Sequence, residues 1–122
     1  MTQPVFDKQD QLERIQAGLI SGETVIAVYD AVGIGTGFIG LTNKRAIIQD
    51  NSFFGKKMAL TSVLYDKITS VSFLSDKSAF GKFYSSSSIA VSVGTRDYTM
   101  DFRGEQKGGH VHEIILWHQL NG

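Results

Sequence analysis

The chain has no cysteine among its 122 residues, which removes disulfides, zinc–thiolate centres and thiol nucleophiles at once. It has no net charge either. Twelve Lys and Arg balance twelve Asp and Glu, so no overall field steers it toward nucleic acid or an anionic surface. No window approaches 18 uncharged apolar residues, and the opening M-T-Q-P-V-F-D-K-Q-D lacks the basic-then-apolar order of a secretory signal. A soluble, cytoplasmic protein is the expectation. What is left is ordinary: 42% apolar and 20% charged residues, in a length that supports one core, hence a single domain over 1–122. From Asn51 to Arg103 seven bases face four acids, an excess too small to mark an anion-binding domain.

The most informative stretch is Thr36 to Asp50, T-G-F-I-G-L-T-N-K-R-A-I-I-Q-D. Two apolar runs meet at Thr42-Asn43-Lys44-Arg45, and Asn tolerates the left-handed backbone of a tight hairpin turn. With Asn43 and Lys44 as loop residues, Leu41 faces Ala46 and Ile39 faces Ile48 on an apolar side, while Gly40 with Ile47 and Phe38 with Gln49 form a mixed one. Such a hairpin needs further strands to cover it.

Around it, the N-terminal segment 1–22 carries Leu12, Ile15, Leu19 and Ile20 at helical spacing, with Asp7 placed to cap a helix. That stripe packs on its own sheet or, alternatively, on a neighbouring subunit. Residues 23–103 are strand-rich. A central strand falls within Glu23 to Val32, a short one is expected over Lys56 to Leu60, and Tyr65 to Ile68 suits a single helical turn. Alternation then marks strands over Ile68–Ser75 and Ile89–Val93, with Asp76–Ser88 between them as a long loop or distorted hairpin. Gly94-Thr95 turns the chain into a strand with Tyr98, Met100 and Phe102 on one side. Over 104–122 the period changes, and Val111, Ile114, Ile115, Trp117, His118 and Leu120 suggest one broad face of a closing helix. Strands in a run followed by a helix predict a mainly β fold: an antiparallel sandwich or open barrel capped by the C-terminal helix, with an extra N-terminal helix.

The chemical motifs are weak. Gly35-x-Gly37-x-x-Gly40 matches the dinucleotide pattern but runs into strand instead of a helix N-terminus. His110, His112 and His118 stand two and six apart, whereas a helix presents metal ligands at i and i+4. The Ser85–Ser88 run has no nucleophile-elbow glycines, and Asp97 with Asp101 follows from alternation on a wet strand face. No catalytic, cofactor or metal residues are assigned. An enzyme would require a deep pocket gathering His110 or His112 with an acid.

The turn L-T-N-K-R, followed by F-F-G-K-K, Y-D-K-I-T-S-V-S and a closing H-E-I-I-L-W-H, resembles the bacterial pleckstrin-homology-like domain family over about Leu19 to Leu120. The resemblance implies a seven-stranded, strongly bent antiparallel sandwich closed by the C-terminal helix, with subunits assembled into rings, typically pentamers. It does not bring phosphoinositide binding with it. Eukaryotic pleckstrin-homology domains use basic residues between the first two strands, and here Asp30 to Thr36 holds one acid and no base. The expected role is therefore a non-catalytic, ring-forming interaction module whose partners are its own copies or an unidentified protein, without nucleic acid or cofactor. The alternative is a peripheral binder of anionic lipid or a phosphorylated ligand, using Lys44, Arg45, Lys56, Lys57 and Lys82, with Phe53 and Phe54 inserting.

Overall fold

A computed structural model describes residues 3–32, 37–50, 59–77 and 85–122. They fall into two compact units, Met1–Leu64 and Tyr65–Gly122. The first holds β1 (Val5–Phe6), α1 (Gln9–Ala17), β2 (Val25–Asp30), β3 (Phe38–Thr42), β4 (Arg45–Asp50) and β5 (Ala59–Leu64). The second opens on a 3-10 turn at Tyr65–Lys67, then carries β6 (Ser70–Lys77), β7 (Ser85–Val93), β8 (Arg96–Arg103) and α2 (Lys107–Asn121).

In the first unit the five strands lie in sequence order, antiparallel from β2 onward. The hairpin register is the expected one, with Phe38 opposite Gln49, Ile39 opposite Ile48, Gly40 opposite Ile47 and Leu41 opposite Ala46. β1 was not foreseen. It pairs parallel to β2 over two residues, too short a segment for any periodicity to show.

Helix α1 packs Leu12 and Ile15 on its own sheet, in a cluster with Val28, Phe38 and Ile47. Burying two such side chains stabilises by about 1.5–3 kcal/mol each. Gly40 makes this docking possible, since a Cβ there would meet Ile15 Cδ1 at 2.7 Å. The glycine of the would-be dinucleotide motif thus serves helix-on-strand contact. Two details of the helix differ from expectation. It is shorter, so Ile20 lies beyond its end at 61% exposure, and Asp7 does not cap it. The Asp7 carboxylate instead accepts the Asp30 N–H at 2.9 Å, tying the N-terminus to β2.

In the second unit β6, β7 and β8 form an antiparallel sheet with Ile89, Val91, Met100 and Phe102 buried. The β7–β8 turn has Gly94 at φ +65 in its first loop position, where a type II′ turn requires glycine. The Ser85–Ser88 run, read as the end of a loop and the start of a strand, belongs to β7 throughout. Strand β5 holds Ala59–Leu64, while Lys56 to Met58 of the short strand expected over Lys56 to Leu60 lie outside the described residues.

On α2, Val111, Ile114 and Ile115 are buried as expected, but Trp117 is 58% and Leu120 81% exposed. At about 100° per residue, Trp117 stands about 200° around the helix from Ile115, so one sheet cannot cover both. The helix start is held from outside. Ser87 Oγ, fully buried, accepts the Gly108 N–H at 2.8 Å and donates to Gly104 O at 2.7 Å. That bond stands in for a local N-cap, because Gln106 makes no side-chain capping bond.

Candidate functional site

Among the described residues of the first unit, a dense polar cluster surrounds the L-T-N-K-R turn. The turn is not made by left-handed backbone, since no described non-glycine residue has positive φ. Thr42 makes it. Its buried hydroxyl accepts the N–H groups of Lys44 and Arg45, each at 3.0 Å, and donates to Glu23 Oε2 at 2.6 Å. Asn43 has a different role from the one its conformational tolerance suggested. Its side chain accepts the Thr24 N–H at 2.9 Å and donates to Gly22 O at 3.1 Å, locking the turn to the loop before β2.

Arg45 closes the cluster. Its Nε and Nη2 grip Glu23 at 2.8 and 2.9 Å, Nη2 also donates to Gly18 O at 3.0 Å, and Nη1 reaches Ser62 Oγ at 2.7 Å. One guanidinium therefore joins the end of α1, the 19–23 loop, β4 and β5. The Glu23 side chain is wholly buried and accepts four bonds, the last from the Ile20 N–H at 3.0 Å. The bonded Arg45 guanidinium holds its carboxyl at about 2, well below the usual 4.5, against the opposing effect of burial and with help from Thr42 and Ile20. Glu23 in turn raises the pKa of Arg45. A carboxylate with all its acceptor sites filled has no lone pair left for a substrate, so this cluster fastens the hairpin and does no acid–base work.

Comparison with known proteins agrees with this architecture. Residues 13–107 match the bacterial PH domain family. The chain belongs to that family. Two solved structures share the fold: a pleckstrin homology domain from Shewanella amazonensis and a protein with a pleckstrin-homology domain from Shewanella loihica. The first is 17% identical at a TM-score of 0.65, covering 93% of this chain and 99% of the other. The second is 19% identical at a TM-score of 0.57, covering 93% and 94%. No curated protein matches the chain.

In this bacterial PH domain the expected anion ligands are only partly placed. Lys44 is exposed at the hairpin tip, while the neighbouring Arg45 is directed inward to Glu23. Lys56, Lys57, Lys82, Phe53 and Phe54 lie outside the described residues. Asp30, which opens the loop that eukaryotic domains fill with bases, accepts from Gln11 Nε2 at 2.7 Å and faces Lys8 Nζ at 3.4 Å.

Of the histidines, His118 stacks on Tyr65 with ring centroids 4.5 Å apart and donates from Nδ1 to Ile114 O at 2.8 Å. His112 approaches Phe73, its ring centroid 6.0 Å away. His110 lines an open cleft with Glu105 and Glu113, among six residues that include no hydroxyl or thiol. Among the described residues no three His, Asp or Glu side chains gather around one metal position, and no helix is long and apolar enough to cross a membrane. Glu23, Thr42 and Ser87 were missed as key polar residues. The one sequence signal for them was a Thr heading a turn whose next two N–H groups need an acceptor.

Proposed function

We propose that this bacterial PH domain is a non-catalytic interaction module whose copies assemble head to tail into a closed ring, five copies being the favoured number. The supporting observation is the pair of edges on the five-stranded sheet. At one edge β1 exposes Val5 by 52% and Phe6 by 40%; at the other β5 exposes Leu60 by 56% and Leu64 by 51%. Among the described residues no further strand pairs with either edge. Exposed apolar edges invite a partner strand. Because the two edges differ, contact between them is heterologous, and heterologous contacts generate rings when the rotation closes.

Size-exclusion chromatography with light scattering tests this at micromolar concentration. A pentamer of the 13.4 kDa chain has a mass of about 67 kDa, and Leu60→Glu with Leu64→Glu should reduce it to a monomer. A wild-type chain that runs as a 13.4 kDa monomer overturns the proposal. The alternative, binding of anionic lipid or a phosphorylated ligand through Lys44, Arg45, Lys56, Lys57 and Lys82, is weakened by the inward engagement of Arg45. Salt-sensitive co-sedimentation with anionic vesicles, lost in Lys56→Glu/Lys57→Glu, would restore it.

A further inference from the structure

We infer that the cleft between β6 and the first half of α2 receives an extended basic peptide, which adds as a strand to the outer edge of β6. This edge belongs to the second compact unit and is a different strand from the β1 and β5 edges of the proposed ring.

β6 is an edge strand whose described partner is β7 alone. Its register runs from Ser70 opposite Ser92 to Lys77 opposite Ser85 with no bulge. Natural edges are usually protected by shortness, a bulge, proline or charge. Here eight residues pair continuously, and from Ser70 to Ser75 there is neither charge nor proline. Phe73 and Leu74 on this edge are 40% and 67% exposed. Every second backbone group of such a strand points away from its partner, which is the template that β-augmentation uses.

Beside this edge lies a cleft of about 640 Å³, lined by Phe73, Glu105, Gln106, Gly109, His110 and Glu113. Its size suits a few inserted side chains. The helical wall is fixed in place, because the Ser87 bonds to Gly104 and Gly108 pin the start of α2 to β7. Gly109 keeps the wall low: a Cβ there would sit 3.3 Å from Phe73 Cζ, so any larger residue would press on the ring. An added strand sends every second side chain toward the cleft. There it meets the Phe73 ring and the carboxylates of Glu105 and Glu113, with no Lys or Arg among the described lining residues. An apolar ring beside two acids complements the long stem and cationic head of Lys or Arg. An anionic ligand would meet like charge.

The test uses the full chain, labelled with nitrogen-15, and a capped eight-residue peptide of alternating Lys and Val. The expected result is slowed amide exchange in β6, shifts at Phe73, Gly109 and Glu113, and at least tenfold weaker binding in Glu113→Lys and in Phe73→Ala. Glu113 is exposed, so its variant should keep the wild-type circular dichroism. N-methylating alternate peptide residues on the strand-facing side should abolish binding. Four results overturn the inference: no response at millimolar peptide, equal binding of a control peptide of the same length with Glu in place of Lys, perturbation confined to β1, β5 or β8, or concentration-dependent protection of β6 without peptide. The last would assign the edge to a second copy of the chain.

Discussion

Replacing Glu23 by Gln keeps the shape of the hairpin cluster and removes its charge. The substituted amide would turn one N–H₂ donor toward a guanidinium that can only donate, leaving Arg45 with one good acceptor in place of two. The expected cost follows from the carboxyl, held at about 2 instead of its ordinary 4.5. At about 1.4 kcal/mol per pH unit this is about 3 kcal/mol of stability, near the low end of the roughly 3–5 kcal/mol lost when a buried pair is broken on one side. For a domain of this length the midpoint of thermal unfolding should fall by about 10 °C.

The pH dependence separates this mechanism from a packing defect. A carboxyl whose pKa is lower in the folded state stabilises fully above its unfolded value, and that contribution is lost as the pH falls through the folded value. The gap between wild type and Glu23→Gln should therefore stand at about 3 kcal/mol at pH 7 and narrow between pH 4.5 and about 2. Urea unfolding followed by far-UV circular dichroism at pH 7, 4 and 2.5 measures it. A gap below about 1 kcal/mol at pH 7, or one that stays constant from pH 7 through the lowest of these pH values, would refute the assignment.

Three further tests probe other joints. Gly40→Ala should cost about 1–3 kcal/mol by driving Ile15 off the sheet, and pairing it with Ile15→Ala should give less than the sum of the two single losses in denaturant unfolding. Asn43→Ala removes both side-chain bonds to the 22–24 loop and should lower stability by about 1–2 kcal/mol, with faster amide exchange at Thr24 as its local signature. Trp117→Ala should change stability by less than about 1 kcal/mol while Ile115→Ala costs about 2–5 kcal/mol; the reverse order would mean that the exposed face of α2 is covered in solution.

How much was legible in the sequence depended on how local the deciding forces were. The hairpin register and the Gly94 turn followed from alternation and turn chemistry a few residues apart, and both appear in the fold. Where helix stripes were concerned, spacing told which residues share a side but not how far a sheet covers that side. Ile20, Trp117 and Leu120 were therefore placed inside and stand in solvent. The Glu23–Arg45 pair spans 22 positions and forms because β2, β3 and β4 bring their ends together, so no short window contains it. That pairing also changes what the basic turn means. Lys44-Arg45 has the composition of an anion ligand, yet a buried carboxylate engages its arginine and leaves one exposed lysine at the tip. A turn so fastened from within is poorly suited to capture a phosphate. On the proposed reading, recognition falls to features that composition does not display: the edges of β1, β5 and β6 that no other described strand pairs, which exist as surfaces only once the strands are in order.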